Sequence, residues 1–214
     1  MVDGFCATCG RPSRPHDRFC RACGAALTDE AAAASPVHEA ESLVIRGQLS
    51  DAIATLQRAI GRSDAAELHV ALATLHLRGN AMAEAEHELS AAIALDATCA
   101  VAHAYSGALL VQRGLVAEAQ EALDTARALA PDDLVVARKR AEFFLALGIL
   151  ERARDELMHG LADGGGSQEL RTSAAQLLAE IERRLSRSVK RHPVKLPGTA
   201  LVTRFIGRRG RTPN

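Results

Sequence analysis

Apolar residues recur at steps of three and four along most of this 214-residue chain, which indicates amphipathic helices rather than strands. The helical segments form four pairs, and a glycine separates the two members of each pair. Glycine suits that place because it adopts the left-handed conformation that ends a helix without a side-chain penalty. These glycines are Gly47, Gly79, Gly114 and Gly148. The pattern predicts helices over about residues 37–46, 50–62, 65–78, 82–95, 99–113, 115–129, 132–147 and 150–161.

A second pattern repeats with the helix pairs. The second helix of each pair carries a small residue, a leucine four positions later and another small residue three positions after that. A small residue lets two helices approach closely, and the leucine fills the space one turn later. One pair cannot bury its apolar face alone, so the pairs are predicted to stack. The first small residues are Ala52, Ala85, Ala119 and Ala153, spaced by 33, 34 and 34 residues.

This period and motif resemble the tetratricopeptide repeat over roughly Ala33 to Gly166. The resemblance implies an all-α solenoid of four helix pairs. In the second pair, Gly79 precedes Ala85 by six residues where the other pairs have five, which predicts a one-residue adjustment of that turn. In the fourth pair, Gly160 stands where alanine is usual. The third pair matches best, through Gly114, Ala119, Leu123, Ala126 and Pro131.

A glycine-rich run at residues 163–167 ends the array, and one more amphipathic helix is predicted over about residues 168–186. A helix in that place covers the exposed apolar end of a solenoid. Proline and glycine punctuate the chain after Ser188, which predicts a mostly irregular tail. The predicted domains are a zinc ribbon at 1–27, a linker at 28–35, the array at 36–166, the capping helix at 167–187 and the tail at 188–214.

The N-terminal segment holds two Phe-Cys-x-x-Cys-Gly motifs, whose cysteines are Cys6, Cys9, Cys20 and Cys23. Each motif suits a tight turn that points two thiolates at one metal, and two turns complete a tetrahedral four-sulfur zinc site. The segment resembles a short zinc ribbon. A site with four thiolates has no open position, so the expected cofactor is one structural Zn²⁺.

Other interpretations of the cysteines are a redox dithiol or unpaired thiols, and His16 could replace one ligand. Two such motifs at this spacing favour zinc over either alternative. No basic-then-apolar leader precedes Cys6, so we expect a reducing, cytoplasmic location. The apolar run from Phe143 to Leu150 is too short to span a bilayer.

The sequence shows no motif of a catalytic site: it has no phosphate-binding glycine loop, no Gly-x-Ser-x-Gly and no paired metal-binding histidines. His69 and His76 lie on one side of a predicted helix, where a helix surface without metal is the favoured interpretation. Cys99 opens a helix and is predicted to be a packing residue rather than a reactive thiol. We therefore expect a protein that is not an enzyme.

In tetratricopeptide proteins the first helices of the pairs line a concave groove that holds a peptide or a partner helix. The family's clamp for a terminal carboxylate uses asparagines and lysines there, whereas this chain has mostly valine, alanine and threonine, with charge from Arg138 and Lys139. The resemblance therefore implies a groove for a segment with apolar anchors, although some of these valines could pack between repeats. The implied groove residues are Val37, Glu41, Val70, Thr74, Leu77, Val101, Ala104, Ala108, Val111, Arg138, Glu142 and Leu145.

The charge is unevenly distributed although the formal net charge is zero. Ten Lys and Arg and no acid follow Glu182, so an acidic body carries a basic tail. The stretch from Ala200 to Ile206 holds five apolar residues in seven, and we expect Leu201, Phe205 and Ile206 to anchor it in a groove. That groove could belong to this chain, to a second copy or to another protein. The alternative is a segment that orders only with a partner.

These observations predict a non-catalytic scaffold that assembles proteins through the groove of its repeat array. The runner-up is a nucleic-acid-associated factor that uses the ribbon and the basic tail. A regulatory module of a signalling system is a third, weaker interpretation. Salt dependence separates the first two, because phosphate contacts give a steep fall in affinity with salt.

Overall fold

The computed structural model describes two short strands, the backbone of residues 35–162 and 165–191, and the side chains of residues 35–162 and 165–187. Strand β1 (Gly4–Phe5) pairs antiparallel with β2 (Pro12–Ser13), with Gly4 opposite Ser13 and Phe5 opposite Pro12. The remaining described residues form an all-α array. Its helices are α1 (Pro36–Ile45), α2 (Leu49–Ile60), α3 (Ala66–Arg78), α4 (Met82–Leu95), α5 (Ala100–Gln112), α6 (Val116–Leu129), α7 (Leu134–Ala146), α8 (Leu150–Ala162) and α9 (Gln168–Arg191).

The bounds of α1 to α8 agree with the predicted helices to within two residues. The start of α7 shows why: Asp133 caps it, with Oδ1 accepting hydrogen bonds from the backbone N–H of Val135 at 2.7 Å and of Val136 at 3.1 Å. Helix α9 begins as predicted but continues to Arg191, five residues beyond the predicted end.

The four turns inside the helix pairs share one geometry. In three of them glycine takes the left-handed conformation, with φ of 77° at Gly47, 76° at Gly114 and 75° at Gly148. Two backbone hydrogen bonds close each turn, such as Gly114 N–H to Val111 O at 3.0 Å and Leu115 N–H to Leu110 O at 3.0 Å. This is the Schellman arrangement, which satisfies the last carbonyls of a helix.

The predicted adjustment of the second turn is wrong. Asn80, not Gly79, adopts the left-handed conformation there, with φ of 58°. Asn80 lies five residues before Ala85, as the glycines do in the other pairs. The same two hydrogen bonds close the turn, from Asn80 N–H to Leu77 O and from Ala81 N–H to His76 O. Asparagine tolerates this conformation better than most residues, so the repeat keeps its length.

The repeating small residues and leucines lie in the contact between the helices of each pair. Ala119 is fully buried, and its carbonyl oxygen lies 3.2 Å from where a side chain on Gly107 of α5 would begin. The fourth pair is closer still, because a Cβ on Gly160 would lie 2.5 Å from the Cβ of Ala137. Glycine replaces the usual alanine there because the helices leave no room for a methyl group.

Three clusters of buried side chains succeed one another along the array. The first joins α1, α2 and α3, the second joins α3, α4 and α5, and the third extends from α5 to α9. Ile181 of α9 is fully buried in the third cluster, and Leu170, Leu177 and Leu178 pack against it. Helix α9 thus covers the apolar end of the array, as the sequence predicted. In the described part of the chain, no helix combines the length and the apolar character that crossing a bilayer requires.

Candidate functional site

A cleft of about 300 Å³ opens between the first helices of the second, third and fourth pairs. Helices α3, α5 and α7 form its walls, and the start of α4 contributes at one end. Its lining is largely apolar, with an amide and two charged side chains. The lining residues are Leu77, Met82, Tyr105, Ala108, Leu109, Val111, Gln112, Lys139, Glu142 and Phe143.

Four of the residues implied by the repeat resemblance meet in this cleft: Leu77, Ala108, Val111 and Glu142. Two others do not offer side-chain surface, because Ala104 is 0% exposed and Val70 is 9% exposed within the array. The open alternative, packing between repeats, therefore applies to these two. The remaining residues lie outside the cleft lining: Val37 and Glu41 on α1, Thr74 on α3, Val101 on α5, and Arg138 and Leu145 on α7.

Sequence reasoning missed Met82, Tyr105, Leu109, Gln112 and Phe143 as cleft residues. A signal for one of them was present, because Tyr105 and Lys139 are 34 residues apart and so occupy the same position in successive repeats. Each follows directly after an implied groove position, at Ala104 and at Arg138. The position shared by Tyr105 and Lys139 faces the neighbouring first helix, and the repeat period alone could have identified it as a cleft position.

One wall of the cleft carries its charge. The Lys139 ammonium lies 4.9 Å from the centre of the Tyr105 ring, in cation–π contact, and 2.9 Å from Glu142 Oε2. The other carboxylate oxygen of Glu142 lies 3.1 Å from Arg138 Nε. Burial raises the pKa of the Tyr105 phenol, so this ring stays neutral at physiological pH. One carboxylate thus faces two cations.

The next residue of α7 has a different role. Arg140 turns away from the cleft, with Nη1 2.5 Å from Asp124 Oδ1 and Nη2 3.2 Å from Glu156 Oε1. It also donates a hydrogen bond from Nη1 to the Leu123 carbonyl at 3.1 Å. These contacts join α6, α7 and α8, so the charge of Arg140 is compensated within the fold.

Acidic residues are concentrated on the second helices of the pairs. Helices α2, α4, α6 and α8 hold ten Asp and Glu against four Arg. The first helices, α1, α3, α5 and α7, hold four acids against four bases, and three of those bases are on α7. The cleft is therefore the less acidic face of the array.

The sequence favoured a partly exposed helix surface for His69, and its side chain is 12% exposed and lies between two carboxylates. Its Nδ1 is 2.5 Å from Glu88 Oε2 and its Nε2 is 2.7 Å from Asp64 Oδ1. Burial lowers the pKa of His69, but these two hydrogen bonds outweigh burial and raise it above its ordinary value. In the part of the chain that the structure describes, no three His, Cys, Asp or Glu side chains form a group that could hold a metal ion.

Cys99 precedes the first residue of α5 and packs against the second buried cluster. Burial raises the pKa of its thiol, which favours the packing interpretation over a reactive thiolate. The other predicted sites lie outside the described residues. These are the zinc ligands Cys6, Cys9, Cys20 and Cys23 and the tail anchors Leu201, Phe205 and Ile206.

No family model matches this chain, and no curated protein matches it. Solved structures do. The chain is similar to the APC/C hetero-tetramer Cut9–Hcn1, with a TM-score of 0.62 and 13% identity, over 72% of this chain and 31% of that one. It is also similar to the TPR-like repeats of a putative kinesin light chain from Podosopora anserina, with a TM-score of 0.51 and 17% identity, over 74% of this chain and 89% of that one. The fold is an all-α helical repeat solenoid that resembles tetratricopeptide-repeat proteins.

Proposed function

We propose that this protein is a non-catalytic scaffold whose cleft between α3, α5 and α7 binds a segment of another protein. The observation that carries the proposal is the cleft itself, because it is concave, mostly apolar and rimmed by a few polar groups. Leu77, Met82 and Val111 provide surface for apolar anchors. A groove of this kind accepts a helical or extended segment through such anchors. The same fold occurs in the Cut9–Hcn1 hetero-tetramer, which is consistent with a role in assembly.

The test uses the full-length protein and a phage-displayed library of short random peptides. Met82 lines the cleft and is 39% exposed, so Met82→Glu places a charge on the binding surface without disturbing the core. We expect this change to abolish the enrichment of peptides selected on the wild type. Met158 of α8 is 53% exposed and lies outside the cleft lining, so Met158→Glu is the matched control and should leave selection intact. Equal enrichment by both variants would contradict the proposal.

We also propose that Cys6, Cys9, Cys20 and Cys23 bind one structural Zn²⁺. The two Phe-Cys-x-x-Cys-Gly motifs support this, because each cysteine pair at that spacing can supply two thiolates, and four thiolates complete a tetrahedral zinc site. Purified protein should contain one zinc per chain, and Cys6→Ser or Cys23→Ser should remove it while far-ultraviolet circular dichroism stays nearly unchanged. Full zinc retention by both variants would exclude the site.

The basic tail is proposed as a docking segment through Leu201, Phe205 and Ile206, in this chain, in a second copy or in a partner. Deleting residues 188–214 and measuring hydrogen exchange across Leu77 and Val111 tests docking in the protein's own cleft. Faster exchange after deletion supports it. Unchanged exchange, with no effect of an added peptide that spans the tail, would mean that the tail does not dock in this cleft and binds elsewhere. A steep loss of tail binding with salt indicates nucleic acid instead.

A further inference from the structure

Positive charge exceeds negative charge where α7 borders the cleft. Lys139 in the lining and Arg138 beside the lining share one carboxylate, Glu142, at 2.9 and 3.1 Å. Arg78, the last residue of α3, adds positive potential at Tyr105, and Asp133 adds negative potential there, so three cations act on this ring against two carboxylates. The array as a whole is acidic, so this local excess of positive charge sets the cleft apart from the surface around it.

Lys139 also keeps unused hydrogen-bonding capacity. An ammonium has three donors, and within the described residues the structure gives Lys139 one hydrogen bond, to Glu142. Arg138 lies outside the cleft lining, and its Nε is 3.1 Å from Glu142 Oε1, so Arg138 contributes positive charge near the cleft rather than a donor to the ligand. The Lys139 side chain is 17% exposed and lines the cleft, so a ligand can reach its ammonium.

We propose that the cleft selects partner segments in which an internal Asp or Glu side chain stands beside an apolar anchor. The anchor lies against Leu77, Met82 and Val111, and the carboxylate takes a free donor of Lys139. The Tyr105 ring orients the lysine through its contact with the Lys139 ammonium. This proposal rests on the proposed function and adds the chemistry of the partner. It also names Lys139 as the residue that determines specificity.

The same charge disfavours the chain's own tail as the occupant of this cleft. The apolar stretch around Phe205 is flanked by Arg204, Arg208, Arg209 and Arg211, and the sequence after Glu182 has no acid. Bringing those arginines to Arg138 and Lys139 places like charges together, which is unfavourable in a partly buried site. Positive charge on the tail instead complements the acidic second helices.

The experiment takes peptides selected on the full-length wild type and synthesises each in three forms. The acidic residue is kept, replaced by its amide, or replaced by lysine, and both ends are blocked so that no terminal carboxylate is present. Binding is measured by fluorescence anisotropy against wild type, Lys139→Met and Lys139→Glu. Arg154→Met is the matched control, because Arg154 is an exposed base on α8 that pairs with Asp155 away from the cleft.

We expect the wild type to bind the acidic form at least about tenfold more tightly than the amide form, which is about 1.4 kcal/mol. Lys139→Met should bind both forms equally, Lys139→Glu should prefer the lysine form, and Arg154→Met should behave as the wild type. Glu142→Gln removes the competing carboxylate and should strengthen binding of the acidic form. Lys139→Arg keeps the charge and should keep the preference.

Three results would each contradict a different part of the proposals. In the first, peptides are enriched and Met82→Glu prevents the enrichment, so the binding function stands. The acidic specificity is nevertheless wrong if the acidic form binds no more tightly than the amide form, or if it still binds more tightly in Lys139→Met. If the blocked peptides do not bind but the same sequences synthesised with a free carboxyl end do, the cleft recognises a chain terminus and the assignment to an internal side chain is wrong. If Met82→Glu and Met158→Glu enrich peptides as the wild type does, both proposals fail.

Discussion

At the scale of single residues, the turn inside each helix pair depends on one left-handed position. At Gly114, where φ is 76°, no heavy atom lies within 4 Å of the place a Cβ would take. Gly114→Ala therefore meets no clash, and its cost is purely conformational, about 1–2 kcal/mol of unfolding free energy. Urea denaturation measures this, and Gly165→Ala is the control, because Gly165 is equally open and has no positive φ.

The turn at Asn80 extends this prediction. Asn80→Gly should be tolerated, because glycine adopts a φ of 58° without a side-chain penalty, whereas Asn80→Ala should lower the unfolding free energy by about 1 kcal/mol. If Gly79→Ala proved as harmful as Asn80→Ala, the left-handed position would be assigned to the wrong residue. Gly79 has a φ of −80°, which alanine accepts readily.

His69 links stability to pH. Its pKa is raised above the ordinary value of 6.5, so the contacts with Glu88 and Asp64 stabilise the fold fully below that value and are lost as the pH rises through the folded-state pKa. The melting temperature of the wild type should therefore fall relative to His69→Gln as the pH rises from acidic to alkaline. His76→Gln, on the same helix, should follow the wild type at every pH. A constant difference between wild type and His69→Gln would contradict the assignment.

At the scale of helices, the contact between α5 and α6 tests the phase of the repeat. Ala119 is 0% exposed, so Ala119→Leu overpacks that contact and should cost about 1–3 kcal/mol. Ala117 is exposed on the same helix, so Ala117→Leu should be nearly silent. Chemical denaturation of the two variants compares them. Equal shifts of the unfolding midpoint would mean that the helix phase is wrong.

The helices and their pairing could largely be predicted from the sequence, because the residues that specify them are close together in the chain and recur in each repeat. The spacing of Ala52, Ala85, Ala119 and Ala153 gave both the helix phase and the pairing. The left-handed Asn80 was missed because a neighbouring glycine offered the more obvious candidate. The use of glycine at position 160 could not be foreseen either, since it depends on how close α7 and α8 approach at Ala137.

The cleft could be predicted only in part, for a reason of the same kind. The resemblance to the tetratricopeptide repeat implied which residues of the first helices face the groove, and Ala108 and Val111 are among those that line the cleft. The contact of Lys139 with the Tyr105 ring depends on the distance between α5 and α7, which the sequence of neither helix contains. The different roles of Lys139, which faces the cleft, and Arg140, which binds α6 and α8, also depend on how the helices pack.

At the scale of the whole molecule, the three buried clusters are unequal. The first has five buried residues, whereas the third has fourteen, among them Phe143, Phe144 and Ile181. In the part of the chain that the structure describes, helix α1 has one buried residue, Ala40. Because each pair in a solenoid contacts only its neighbours, the stability of the array is the sum of local contributions and is lowest at its first pair.

This gradient of stability predicts the order in which the helix pairs unfold under force. Under tension applied between residues 35 and 187, the helices need not unfold together, because among the described side chains no buried cluster extends along the whole array. We expect α1 and α2 to peel off first at low force, then the second pair, and the block that α9 closes to resist longest. An optical trap would record this as successive extension steps, each corresponding to the unfolding of about one repeat. A protein that holds partners together would then yield gradually at one end while its other end stays folded.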